Sequence, residues 1–152
     1  MSRLLNAFWE SILSPMFQRP KRLQVAALCH RERAGVREVL LVTSRDTGRW
    51  IIPKGWPMRG KNGAESALQE AWEEAGVTQS IVNPQPIGSY TYAKRKASGL
   101  SVPVRTLVYD LPVKTLSDDF PEALERTRKW VPAAQAAEMV NETALKAILR
   151  QF

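Results

Sequence analysis

The spacing of apolar positions changes several times along the chain, and each change predicts an element. Leu23 to His30 is a short apolar run, which reads as a buried strand. Arg37 to Ser44 is rich in β-branched and aliphatic residues and reads as a second strand. Asp46-Thr47-Gly48 is a turn, after which Trp50 to Ile52 form a short third strand. From Ala64 the period becomes helical, with Ala64, Ala67, Leu68, Ala71, Trp72 and Ala75 on one face of a helix over 63–75. Asn62 is placed to cap its start with Glu65 as capping-box partner, and Gly76 to stop it in a left-handed conformation. Ile87 to Lys94 and Val102 to Val113 read as paired strands around a basic loop that contains Gly99, and Pro103 predicts an irregular or edge start. Lys129 to Val131 is a further short strand. Pro132 then opens a helical region striped by Ala137, Val140, Ala144, Leu145, Ile148 and Leu149, with Asn141 as the cap of a second helix inside it. This order predicts an α/β sandwich, a mixed sheet between helices, rather than a doubly wound sheet.

Residues 1–18 stand apart. Leu4, Leu5, Phe8, Trp9, Ile12 and Leu13 follow helical spacing, without the apolar core and cleavage site of a signal peptide. The expectation is an amphipathic extension packed on the domain or on a second subunit, so that a homodimer is one possible assembly. The remaining residues, 19–152, form one domain, large enough for a sizeable core. No apolar run is long enough to span a membrane, and stable membrane insertion is not expected. Cys29 is alone, which fits a reducing, cytoplasmic compartment. His30 is the sole histidine and sits in the apolar run, so it reads as structural and a Ser-His-Asp mechanism is not expected.

Charge adds a partner class. The chain carries a formal net charge of +7, with basic residues bunched at 19–22, 45–49, 94–96, 105 and 126–129. Such a surface attracts polyanions, either nucleic acid or a highly phosphorylated small molecule.

Against this basic background the helix over 63–75 is acidic. Glu65, Glu70, Glu73 and Glu74 fall on it with Ser66 and Gln69 on the polar side, and it contains no Lys or Arg. Glu70, Glu73 and Glu74 are three and four apart, a spacing at which like charges cost roughly 0.2–0.5 kcal/mol per pair. A solvated face is one account of them. The other is a divalent cation, because carboxylate oxygens suit Mg²⁺ or Mn²⁺.

Residues 55–77 resemble the Nudix box, Gly-x5-Glu-x7-Arg-Glu-U-x-Glu-Glu-x-Gly-U, with U bulky and apolar. Gly55 takes the first position, and Glu70, Glu73, Glu74, Gly76 and Val77 fall in the retained half. Lys61 stands where the family has its first Glu, Gln69 where it has Arg, and Ala71 is smaller than the usual aliphatic residue. The resemblance implies a Nudix-type α/β/α sandwich over residues 19–152. It also implies Glu70, Glu73 and Glu74 as metal ligands, one of them or its bound water as general base, and Gly55 as a carbonyl ligand. Lys61 cannot bind metal; it either approaches a phosphate or is solvated. Gln69 supplies a weaker orienting contact than Arg.

Beyond the box, residues 40–45, 49–53, 105–109 and 128–130 resemble the diphosphoinositol polyphosphate phosphohydrolase subgroup, which also takes diadenosine polyphosphates. By that analogy Lys21, Arg22, Arg45, Arg49, Lys54, Lys94, Lys96, Arg105 and Arg128 are candidate phosphate contacts. An acid outside the box often assists in this family, and Asp118, Asp119, Glu122 and Glu125 are the candidates. Trp56 either packs under its loop, the favoured reading, or stacks on a nucleobase. Tyr90 and Tyr92 read as core in preference to a base platform. The expected function is metal-dependent hydrolysis of a phosphoanhydride in a dinucleoside polyphosphate or inositol pyrophosphate. The rivals are a catalytically weak nucleotide sensor, an RNA 5′-end pyrophosphohydrolase and, ranked last, an RNA-binding protein.

Overall fold

A computed structural model describes residues 22–152. The amphipathic extension expected over 1–18 lies outside the described residues. Eight strands and three helices follow in the order β1 (Arg22–Arg33), β2 (Val36–Thr43), β3 (Trp50–Ile51), β4 (Lys54–Gly55), α1 (Gly63–Ala75), β5 (Val77–Ser80), β6 (Pro86–Arg95), β7 (Ser101–Leu116), β8 (Arg128–Pro132), α2 (Ala133–Met139) and α3 (Thr143–Gln151).

β1 is the spine. It runs antiparallel to β2 and parallel to β7, and β4 pairs with it at Val25 and Ala26. β2 also carries β3 and β8, while β7 carries β6 antiparallel along its first half and β5 near its end. The sheet is therefore mixed, as expected.

Strand side chains alternate between faces, so β1 feeds two cores. Val25, Ala27 and Cys29 pack with Ala64, Ala67, Ala71 and Ala75 of α1. Ala26 and Leu28 face the other way and pack with Ala136, Ala137, Val140, Leu145 and Leu149 from the α2–α3 region. Burial on both faces is why the strand reads as an unbroken apolar run. Cys29 and His30 are buried, and His30 pairs with Asp110 and packs edge-on to Phe152, in keeping with structural roles. Tyr90 is core, and Tyr92 donates its hydroxyl to Gln24 Oε1 at 2.6 Å.

Three local expectations change. Asn141 does not cap the last helix; Glu142 occupies that position, without a side-chain cap, and its carboxylate pairs with Arg49 at 2.6 Å. Ala144 is exposed and leaves the apolar stripe to Leu145 and Leu149. Pro103 lies inside β7, opposite Ala93 of β6 and two residues after the strand begins at Ser101. The short β4 and β5 were not legible as strands, because each borrows its register from a longer neighbour.

Candidate active site

α1 begins and ends as the residues dictate. The Asn62 side chain accepts from Glu65 N–H at 2.8 Å, and Glu65 Oε1 accepts from Asn62 N–H at 2.8 Å, a complete capping box. Gly76 ends the helix at φ +76°. Glu65 is thereby committed to structure.

Two of the four acids of this helix are withdrawn from solvent. Glu70 and Glu74 belong to its buried stripe, at 9% and 5% exposure, whereas Leu68 and Trp72 are only partly covered. The cause is the alanine-rich face. Small side chains at 64, 67, 71 and 75 let the helix lie close to the sheet, which draws the neighbouring acids down against β4. Gly55 completes the fit: a Cβ there would fall inside contact distance of the Glu70 carboxyl group. Glu74 Oε1 accepts from Lys54 N–H at 3.2 Å.

A second segment closes the site. Phe120 to Arg128 is strapped to the C-terminal end of α1. Glu122 N–H donates to Glu73 C=O at 3.0 Å, and Arg128 donates to the Ala75 and Ser117 carbonyls at 2.7 Å each. Of the four acids outside the box, this strap brings Glu122 to the cavity that Glu70, Glu73 and Glu74 line. Arg126 is buried between Glu74 at 3.3 Å and Glu122 at 2.9 Å, and also donates to Thr43 C=O at 2.8 Å. Asp118 is instead fully exposed and pairs with Arg128, while Glu125 pairs with Arg45 at the surface.

Glu70, Glu73, Glu74 and Glu122 line one cavity of about 330 Å³ together with Arg45, Lys54, Lys94, Arg126, Gly55, Trp56, Gln24 and Asp46. A broader cavity of about 810 Å³ adjoins it, sharing Lys54 and Lys94 and adding Arg49, Tyr92 and Lys96. Arg45, Arg49, Lys54, Lys94 and Lys96 are thus brought together. Arg22 lies over the Trp56 ring at 5.8 Å. Arg105 is exposed on β7 and lines neither cavity, and Lys21 lies outside the described residues. Arg128 is not brought to the site: its guanidinium holds the end of α1 and packs on Phe120. Lys61 is exposed over a separate depression with Glu65, Gln69 and Trp72, so it does not approach a phosphate in this cavity. Gln69 stands where the family places Arg, and its amide donates to Glu73 Oε1 at 3.3 Å. Arg126 was not singled out from the sequence. Its signals were a place in the basic cluster 126–129 and a position four residues after Glu122, and nothing local said that the pair would face Glu74.

The electrostatics follow from burial. Desolvation, then the adjoining Glu74, raises the Glu70 carboxyl to about 8. Desolvation raises Glu74 too, opposed by the charge of Arg126. Burial lowers the Lys54 ammonium to about 8, although Glu74 pulls it the other way. Carboxylate oxygens suit a hard divalent cation, which binds them only in the ionised form, so a cation held there would oppose this upward shift. As the side chains stand, no group of three His, Cys, Asp or Glu among the described residues converges on one point. Glu74 has its oxygens turned to Lys54 N–H and to Arg126.

The family model described as NUDIX domain matches residues 20–152. The chain belongs to the Nudix domain family. Among curated proteins it is 29% identical over 121 residues to Nudix hydrolase 21, chloroplastic, of Arabidopsis thaliana, covering 76% of this chain and 56% of that protein. It is 27% identical over 120 residues to diphosphoinositol polyphosphate phosphohydrolase 2 of Mus musculus, covering 78% and 62%. The chain therefore spans little more than half the length of these relatives. Among solved structures, an Ap4A hydrolase binary complex from C. elegans superposes with a TM-score of 0.62 at 23% identity, covering 86% of this chain and 94% of that one. The Nudix domain of Shewanella oneidensis NrtR, complexed with ADP ribose, gives a TM-score of 0.65 at 18% identity, covering 95% and 94%. At these identities the structural likeness carries the Nudix fold.

Proposed function

We propose that this Nudix domain hydrolyses a phosphoanhydride bond in a highly phosphorylated small molecule, a dinucleoside polyphosphate or an inositol pyrophosphate, with Mg²⁺ or Mn²⁺ as cofactor. The observation that carries the reading is the convergence of Glu70, Glu73, Glu74 and Glu122 with Arg45, Lys54 and Lys94 on one cavity. Acids and bases do different work there. Glu70, Glu73 and Glu74 would hold the cation, joined by the Gly55 carbonyl as the resemblance implies, with Glu74 turning from Lys54 N–H and Arg126 to do so. When bound, that cation neutralises phosphate oxygens and acidifies water. Lys54, Lys94 and Arg45 complement the remaining phosphate charge as it shifts during transfer. A carboxylate of this group accepts the proton of the attacking water. Arg126 touches neither water nor phosphate in this scheme; it positions Glu74 and Glu122. The names of the mouse relative and of the C. elegans structure support the substrate class.

A neutral Gln69 beside Glu73 supports a second reading, a nucleotide-binding sensor with little turnover. One experiment separates the two. Phosphate and nucleotide release is measured with Mg²⁺ or Mn²⁺ from diadenosine polyphosphates, an inositol pyrophosphate, nucleoside triphosphates, ADP-ribose and 5′-triphosphorylated RNA, with Glu74→Gln as control. Turnover of a small polyphosphate, lost in the control, is the expected result. Unchanged turnover in Glu74→Gln sinks the residue assignment, and tight binding without turnover moves the function to the sensor.

A further inference from the structure

Trp56 is the one aromatic residue among the large hydrophobic side chains that the described residues leave exposed, at 39%. The expectation that it packs beneath its loop is therefore not met. Tyr90 is in the core, the Tyr92 hydroxyl is held by Gln24, and its ring lies under Lys54 Nζ at 4.6 Å. Tyr90 is thereby withdrawn as a platform, and Tyr92, which lines the adjoining cavity, has one ring face taken by Lys54. Trp56 lines the same cavity as Glu70, Glu73 and Glu74. It follows Gly55, whose Cα abuts the Glu70 carboxyl group, so the indole is rooted about 3.8 Å along the chain from the residue that meets the acids. The Arg22 guanidinium lies 5.8 Å from the ring centroid, near the outer limit of a cation–π contact. An exposed indole loses surface to water only by gaining a partner, and a flat aromatic base offers a face of matching size. An inositol ring is saturated and carries no such face.

We infer that Trp56 is a stacking platform for a nucleobase, which makes the substrate of this site a nucleoside or dinucleoside polyphosphate rather than an inositol pyrophosphate. This rests on the hydrolase reading above. A base on Trp56 places its 5′-phosphate chain over the carboxylates, with Lys54 and Lys94 along the adjoining wall and Arg22 beside the stacked ring.

The test uses the full chain with Mg²⁺ and compares wild type, Trp56→Ala and Trp56→Phe on diadenosine tetraphosphate and on an inositol pyrophosphate. Equilibrium binding of diadenosine tetraphosphate is measured by calorimetry alongside. Truncating a stacking aromatic weakens a base by roughly five- to a hundredfold. Trp56→Ala is therefore expected to raise KM for diadenosine tetraphosphate by that factor, with kcat within about threefold. KM for the inositol pyrophosphate should move far less, and Trp56→Phe should recover most of the loss. Equal changes for both substrates, or none for diadenosine tetraphosphate, overturn the proposal. If wild type turns over neither compound, the hydrolase reading fails on its own, and calorimetry still decides. Binding that weakens in Trp56→Ala sustains the platform; binding that does not, or no binding at all, refutes it.

Discussion

Removing Arg126 tests whether one buried cation sets the charge state of the acids around it. Its side chain is 6% exposed, those of Glu74 and Glu122 are 7% and 17% exposed, and its nitrogens lie 3.3 and 2.9 Å from them. Arg126→Ala leaves both carboxylates and the Thr43 carbonyl without this donor. Breaking a buried pair by deleting one partner costs about 3–5 kcal/mol, which for a domain of this size is a fall in Tm of roughly 10–15 °C. The cost depends on conditions in a way that a simple packing loss does not. Freed carboxylates escape by protonating, so the penalty should shrink at pH 6 and grow at pH 9. It should also shrink in millimolar Mg²⁺, because the cation replaces the missing positive charge. The assay is urea unfolding of wild type and variant at both pH values, in EDTA and in Mg²⁺. A loss below about 1 kcal/mol at pH 9 in EDTA would refute the claim that Arg126 favours the ionised form of Glu74. A loss that Mg²⁺ leaves unchanged would refute the claim that the ion shares them.

Two other predictions concern the same corner. Gly55→Ala keeps an ordinary backbone conformation but sets a methyl group against the Glu70 carboxyl group. The fold should survive with an overpacking cost of about 1–3 kcal/mol, while displacement of Glu70 lowers Mg²⁺-dependent kcat/KM on the order of a hundredfold; full activity would show that Glu70 is not needed where it lies. The raised Glu70 carboxyl predicts a pH dependence. Its folded value of about 8 stands above the ordinary carboxyl value of 4.5, so the folded protein holds a proton that the unfolded chain releases, and its contribution to stability falls as pH rises from about 4.5 to 8. In EDTA, wild type should lose urea-midpoint stability relative to Glu70→Gln across that window, and Mg²⁺ should narrow the difference; parallel curves in EDTA would count against the shift.

Much of this was written locally in the chain. Asn62, Glu65 and Gly76 set the limits of α1 because a cap acts within three or four residues. The unbroken apolar run of β1 announced a strand with both faces covered, and the retained half of the box marked Glu70, Glu73 and Glu74. What the sequence could not determine depends on which surfaces meet. A helical wheel sets Glu70 and Glu74 on the flank of the alanine face, where the spacing alone does not say whether they are covered; both are buried, because burial is decided by how closely that face approaches β4 and the strap from Phe120 to Arg128. The same strap brought Glu122 to the cavity, turned Arg126 inward and committed Arg128 to the end of α1. Charge clusters look alike in a sequence, since an arginine carries the same charge wherever it goes. Only the tertiary structure decides whether that charge meets a carboxylate, a helix end or the cavity where a phosphate would lie.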